Sequence, residues 1–144
     1  MKIDFWRWSL ITLLLLSSPF IYTEIQTYIT INAVFPVIRA VSAKSAIALS
    51  TIFIAFNAIN AILTSSITAL PSSYLARKQA NIIAIILIVT TQIIPIYAFF
   101  QEPEIKVFNI LILLGQLIAF VFFVLIFVKI GCRIAENKQD KANV

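Results

Sequence analysis

The chain has 144 residues, of which 61% are hydrophobic and 12% charged, and its mean hydropathy is +1.01. A soluble domain of this size carries about 25% charged residues and could not bury so much apolar surface in one small core. This excludes a water-soluble globule, a disordered chain and a fibre, and leaves an all-α integral membrane protein. The net charge of +5 comes from basic residues at the ends of apolar segments, without a basic run. Orientation in a bilayer explains them, and no nucleic-acid partner is expected.

Reactive groups are scarce. With no His, imidazole bases, His metal ligands and His switches are absent. The single Cys132 can form neither an internal disulfide nor a paired metal site.

The eleven basic and six acidic residues fall in short clusters, and the apolar stretches between them measure a membrane. A spanning helix needs about 20 apolar residues. The first candidate span covers about residues 6–23, where the uncharged run Trp8–Thr23 is flanked by Phe5 and Trp6, suited to an interfacial aromatic belt. It has the basic start and apolar centre of a signal peptide. Ser17, Ser18 and Pro19 are followed by bulky Phe20, Ile21 and Tyr22, however, without a small-residue cleavage site, so a retained span is expected.

Residues 25–41 alternate apolar and polar groups and then read Val34-Phe35-Pro36-Val37-Ile38. The uncharged stretch is too short to cross. An interfacial or re-entrant segment on the outer leaflet is expected, with the chain turning near Glu24 and breaking again before Pro36. The competing reading is a first helix that runs on past Glu24 as a tilted rod.

The second span covers about residues 45–70, ending at an inner turn of Leu70-Pro71-Ser72-Ser73 with Arg77 and Lys78. That turn lacks the glycines and acidic residue of the basic cytoplasmic turn in larger transporters, so no family is assigned from it. The third span covers about 79–100 and the fourth about 107–128, followed by a charged tail over 129–144. Between the last two spans lies a turn with Glu102, Pro103, Glu104 and Lys106, read as solvated.

A four-helix antiparallel bundle with cytoplasmic termini places eight basic residues inside (Lys2, Arg7, Arg77, Lys78, Lys129, Arg133, Lys138, Lys141). It leaves three outside (Arg39, Lys44, Lys106). The positive-inside rule favours this orientation, in a cell membrane of the bacterial inner-membrane kind.

Polar groups inside the spans are all neutral. In the second span Ser50, Asn57, Asn60, Thr64 and Thr68 share one helical face, opposite Ile52, Phe56, Ile59 and Leu63, with Ala46 and Ala61 on the polar side. Asn81 and Gln92 share a face of the third span with Pro95, and Asn109 and Gln116 share a face of the fourth, next to Gly115. Asn57, Asn60, Gln92 and Gln116 all lie near mid-depth at 1.5 Å per residue, where exposed carboxamides are costly. They are the candidate polar midplane cluster, and Glu24 is the candidate outer-face carboxylate. Interhelical hydrogen bonding accounts for such a cluster, as does a site for a lipid headgroup or a partner seam.

No paired carboxylates share a span, and no activated nucleophile or Gly-rich phosphate loop is found, so no enzyme activity, metal or cofactor is expected. Two functions fit. One is a non-catalytic accessory, assembly or immunity-type subunit that packs against another membrane protein. The other is a small oligomeric transporter, channel or lipid-handling protein using the midplane site, and the missing charged relay groups weigh against it.

Overall fold

The computed structural model describes residues 2–41, 45–101 and 107–142. The turn with Glu102, Pro103, Glu104 and Lys106 lies outside them, as does Lys44. The described residues are helical almost throughout: α1 (Lys2–Ile29), a π-helical turn (Thr30–Val34), α2 (Phe35–Val41), α3 (Ala46–Ala76), a 3-10 turn (Arg77–Gln79), α4 (Ala80–Phe100) and α5 (Val107–Ala142). Four helical stretches are long and apolar enough to cross a membrane: Asp4–Ala40, Ile47–Ala76, Ala80–Phe100 and Val107–Gln139.

The expected turn at Glu24 is not there. Helix continues from Lys2 to Val41, so the backbone follows the rod and not the re-entrant path. Pro36 is absorbed instead of breaking the chain. Proline has no N–H and its ring crowds the carbonyl four residues back, and the π turn just before it widens the helix. Phe35 keeps helical angles (φ −63°, ψ −43°) and donates its N–H to the Thr30 carbonyl, five residues back.

The inner turn at Pro71 is likewise helical, and α3 runs on to Ala76. Ser72 Oγ donates to the Thr68 carbonyl at 2.5 Å and Ser73 Oγ to the Leu70 carbonyl at 2.9 Å, side-chain bonds of the kind that accompany bent membrane helices. Both serines are fully buried. At Pro19 the same device is visible: residue 19 cannot bond the Leu15 carbonyl, and Ser18 Oγ does so at 2.9 Å. The charged tail continues the fourth helix, as expected of a span emerging into water, and α5 runs to Ala142.

Helix α3 touches every other long helix, most extensively α5. Two glycines permit that approach. A Cβ on Gly115 would come within 2.7 Å of Ile54 Cγ1, and one on Gly131 within 2.6 Å of the Leu70 carbonyl oxygen and against Ser73 Oγ. Contacts therefore climb α3 and α5 together. Between α1 and α3 they run the other way, with Arg7 at Leu75 and Tyr22 at Asn60.

The core follows from these contacts. Ala61 and Ala69 of α3, Ala80, Ala84 and Leu87 of α4, and Phe120, Val124 and Val128 of α5 form one buried cluster with Ile11 and Tyr22. Tyr22 and Phe120 meet edge to face, with ring centroids 5.4 Å apart, a favoured aromatic geometry. The outward faces stay apolar, as Ile82, Ile85, Val89 and Ile93 on α4 illustrate. On α3 the buried apolar residues are the small Ala61 and Ala69, the kind of residue that lets helices meet closely within lipid.

Candidate functional site

The polar stripe of α3 faces inward. Ser50, Asn57, Asn60, Thr64 and Thr68 are all buried, whereas Ile59 and Leu63 are exposed and Ile52 and Phe56 half-buried. α3 packs against α1, α4 and α5, with the most extensive contact to α5. Asn57, Asn60, Gln92 and Gln116 are between 1% and 5% exposed, so the structure places all four carboxamides inside the bundle.

Their hydrogen bonding is uneven. Asn60 Nδ2 donates to the Tyr22 carbonyl at 3.4 Å, and Thr64 Oγ1 donates to Asn60 Oδ1 at 3.1 Å. The Tyr22 phenol lies against the carboxamides of Gln92 and Asn60 without closing a hydrogen bond. Asn57 Nδ2, both polar atoms of Gln92, Gln116 Nε2 and Ser65 Oγ are also buried without a hydrogen-bond partner. Of these four carboxamides, Asn60 alone hydrogen-bonds across helices among the described residues. Orphaned buried polar atoms cost about 1–3 kcal/mol each, and native proteins keep few of them.

Ser18, Tyr22 and Thr91 belong to this interior and were not singled out from sequence. Thr91 Oγ1 donates to Ser18 Oγ at 3.0 Å, joining α4 to α1. A signal for them existed: Ile11, Ser18 and Tyr22 recur at helical spacing on one face of α1, and all are buried. Thr91 neighbours Gln92 at the level where Pro95, having no N–H, leaves the Thr91 carbonyl without its usual helical donor.

The other candidates separate. Asn81 is exposed at the start of α4, so it does not share the burial of Gln92. Asn109 is half-buried and joins Gln116 in lining a groove of about 420 Å³ between α1, α4 and α5. Glu24 is exposed and does not join the amides. Around it Thr23, Thr27 and Tyr28 are exposed too, giving α1 a polar outer strip beyond Ser18.

At the opposite end of the bundle a cavity of about 480 Å³ is lined by Arg7, Trp8, Lys78, Cys132 and Glu136, among others. Arg7 spans its edge, donating from Nη2 to the Leu75 carbonyl at 2.6 Å and lying 3.8 Å from Asp4. Among the described residues no three Cys, Asp or Glu side chains gather as a metal site would require.

The chain matches no protein-family model, no curated protein and no solved structure, so its chemistry rests on its own residues.

Proposed function

We propose that the chain is a non-catalytic, multi-pass subunit of a membrane complex in a bacterial inner membrane, acting by packing its helices against another membrane protein. The four spans would form an antiparallel bundle with both termini in the cytoplasm, an orientation supported by the eight-to-three distribution of basic residues.

The observation that carries this reading is the outer strip of α1. α4 is 21 residues long, or about 32 Å, close to the hydrocarbon thickness of about 30 Å. Its middle meets Ser18 through Thr90 and Thr91. Glu24 is six residues further along α1, which puts it roughly 9 Å from mid-depth, within the hydrocarbon and on an exposed face. A charged or polar acid there costs several kcal/mol unless it has a partner, and no basic side chain of this chain lies in the adjacent spans. A neighbouring helix that supplies a cation or a hydrogen-bond donor to Glu24 satisfies it. A second copy of α1 would bring another carboxylate instead.

The test is association in the native membrane. A photocrosslinking residue at Thr27 should trap a second protein, and the same residue at Ile85, on the apolar face of α4, should not. Glu24→Leu should abolish the Thr27 adduct while the isolated chain keeps its thermal unfolding temperature. Crosslinks from Thr27 only to lipid, or adducts unaffected by Glu24→Leu, would refute the reading. Orientation is checked separately by cysteine labelling at Lys78 in a Cys132→Ser background, which should require permeabilised cells.

A second reading, a small transporter or lipid-handling protein, draws support from the unpaired atoms of Asn57, Gln92 and Gln116. Amides retained for helix tethering alone are expected to be paired, whereas those of a binding site find partners on the ligand.

A further inference from the structure

Helix α1 leaves one long ridge uncovered, opposite the side that buries Ile11, Ser18 and Tyr22. Leu13, Leu16, Phe20 and Ile31 on it are between 59% and 70% exposed, and Glu24 and Thr27 are exposed as well. Their positions repeat after eleven residues: 13, 16 and 20, then 24, 27 and 31. Such a repeat takes three turns at about 3.67 residues each, close to the helix's own 3.6, so the ridge drifts little around α1. From Leu13 to Ile31 it measures about 27 Å at 1.5 Å per residue, near the hydrocarbon thickness of about 30 Å. Glu24 is the only charged residue between Trp8 and Ile38. Beside it Thr23, Gln26, Thr27 and Thr30 line a shallow recess of about 290 Å³.

The carboxylate selects the occupant. Lipid chains suit Leu13, Leu16 and Phe20 but offer Glu24 nothing, and headgroups stay at the surface while Glu24 lies within the hydrocarbon. A second copy brings no counter-charge, since its own spans contain neither Lys nor Arg. A neutral donor would bond one oxygen and leave the charge, whereas ionised groups inside a membrane pair with one another. The recess favours the same partner. Thr23 Oγ1 already donates its hydrogen to the Pro19 carbonyl at 2.8 Å, so toward a newcomer it can only accept. We infer that the ridge docks one spanning helix of another protein, with an arginine or lysine of that helix set against Glu24 and its further N–H groups in the recess. This rests on the first reading above and names the chemistry of its partner.

The experiment places the full chain in phosphatidylcholine vesicles with leucine-rich spanning peptides. Each peptide carries one Arg, Gln, Glu or Leu six residues from its centre, roughly 9 Å and so the depth of Glu24. A donor dye at Lys138→Cys in a Cys132→Ser background and an acceptor on the peptide report association as energy transfer. The Arg peptide should associate at about a tenfold lower peptide-to-lipid ratio than the Leu peptide, with the Gln peptide within about threefold of Leu. Glu24→Leu should erase the advantage of Arg, and Phe20→Ala should weaken it, while Ile85→Ala on α4 should leave it unchanged. Glu24→Arg should transfer the preference to the Glu peptide, a reversal that misfolding cannot produce. Arg and Leu peptides that associate alike, a Gln peptide that matches Arg, or an Arg preference that survives Glu24→Leu each overturn the inference. If a Glu24-dependent adduct still forms at Thr27 in native membranes, the subunit reading then stands with a neutral partner; if that adduct is also missing, both fall.

Discussion

The two ends of the bundle are built from the same apolar alphabet and pack differently. At the end near Arg7, Gly131 lets α5 settle against the backbone of α3, Ser72 and Ser73 vanish into the contact, and Arg7 ties α1 to the Leu75 carbonyl. At the other end a groove lies between α1, α4 and α5, with Pro95, Phe99 and Gln116 among its walls. Buried small residues mark the first end and bulky side chains line the second. Side-chain size at the contact separates the two, because helices in lipid associate through close packing.

The largest effect should come from disturbing the tight end. Gly131→Leu forces a side chain against the Leu70 carbonyl, which cannot move without the helix, and should destabilise the bundle by about 3 kcal/mol, measured by denaturant or thermal unfolding in detergent. Gly115→Ala meets only the Ile54 side chain, so a smaller loss, about 1 kcal/mol, is expected by the same assay. A comparable cost for both substitutions would mean that the α3–α5 contact is uniform along its length.

Next in size is Arg7→Met, which keeps the aliphatic stem but removes the bond to Leu75. A loss of about 1 kcal/mol is expected, with little change on raising salt, since the acceptor is a carbonyl. A strongly salt-dependent loss would point to Asp4 as the main partner. Smallest should be Gln116→Leu, at the open end. Its Nε2 is already unpaired, so an apolar replacement of similar size should leave stability within about 1 kcal/mol or raise it. A larger loss would mean that Gln116 ties helices together and that the two ends are more alike than their packing suggests.

The helical bundle was legible because charge clusters interrupt long apolar runs, and the inward direction of Asn57, Asn60, Gln92 and Gln116 followed from spacing and depth. The path of residues 25–41 was not. A proline in sequence signals a break, yet Pro19, Pro71 and Pro95 all lie inside helices, and a π turn carries the chain past Pro36. Nearby hydroxyls and a widened turn can absorb the missing N–H, and one-dimensional spacing does not record them. Glu24 separated from the amides for a related reason: Tyr22 and Glu24 are two residues apart, so a helix sends them to opposite sides. The groove was invisible as well, since it depends on how three helices diverge.

The closest partnership in the molecule, α3 with α5, also sets a schedule. Sixty-six residues separate the end of α3 at Ala76 from the end of α5 at Ala142, which a ribosome adds in roughly 3–13 s at about 5–20 residues per second. Throughout that interval α3 is already made, and Asn57, Asn60, Thr64 and Thr68 await the neighbour that will cover them. A half-built chain is therefore the form most in need of a protective surface, whether in the insertion machinery or on a chaperone that shields polar faces.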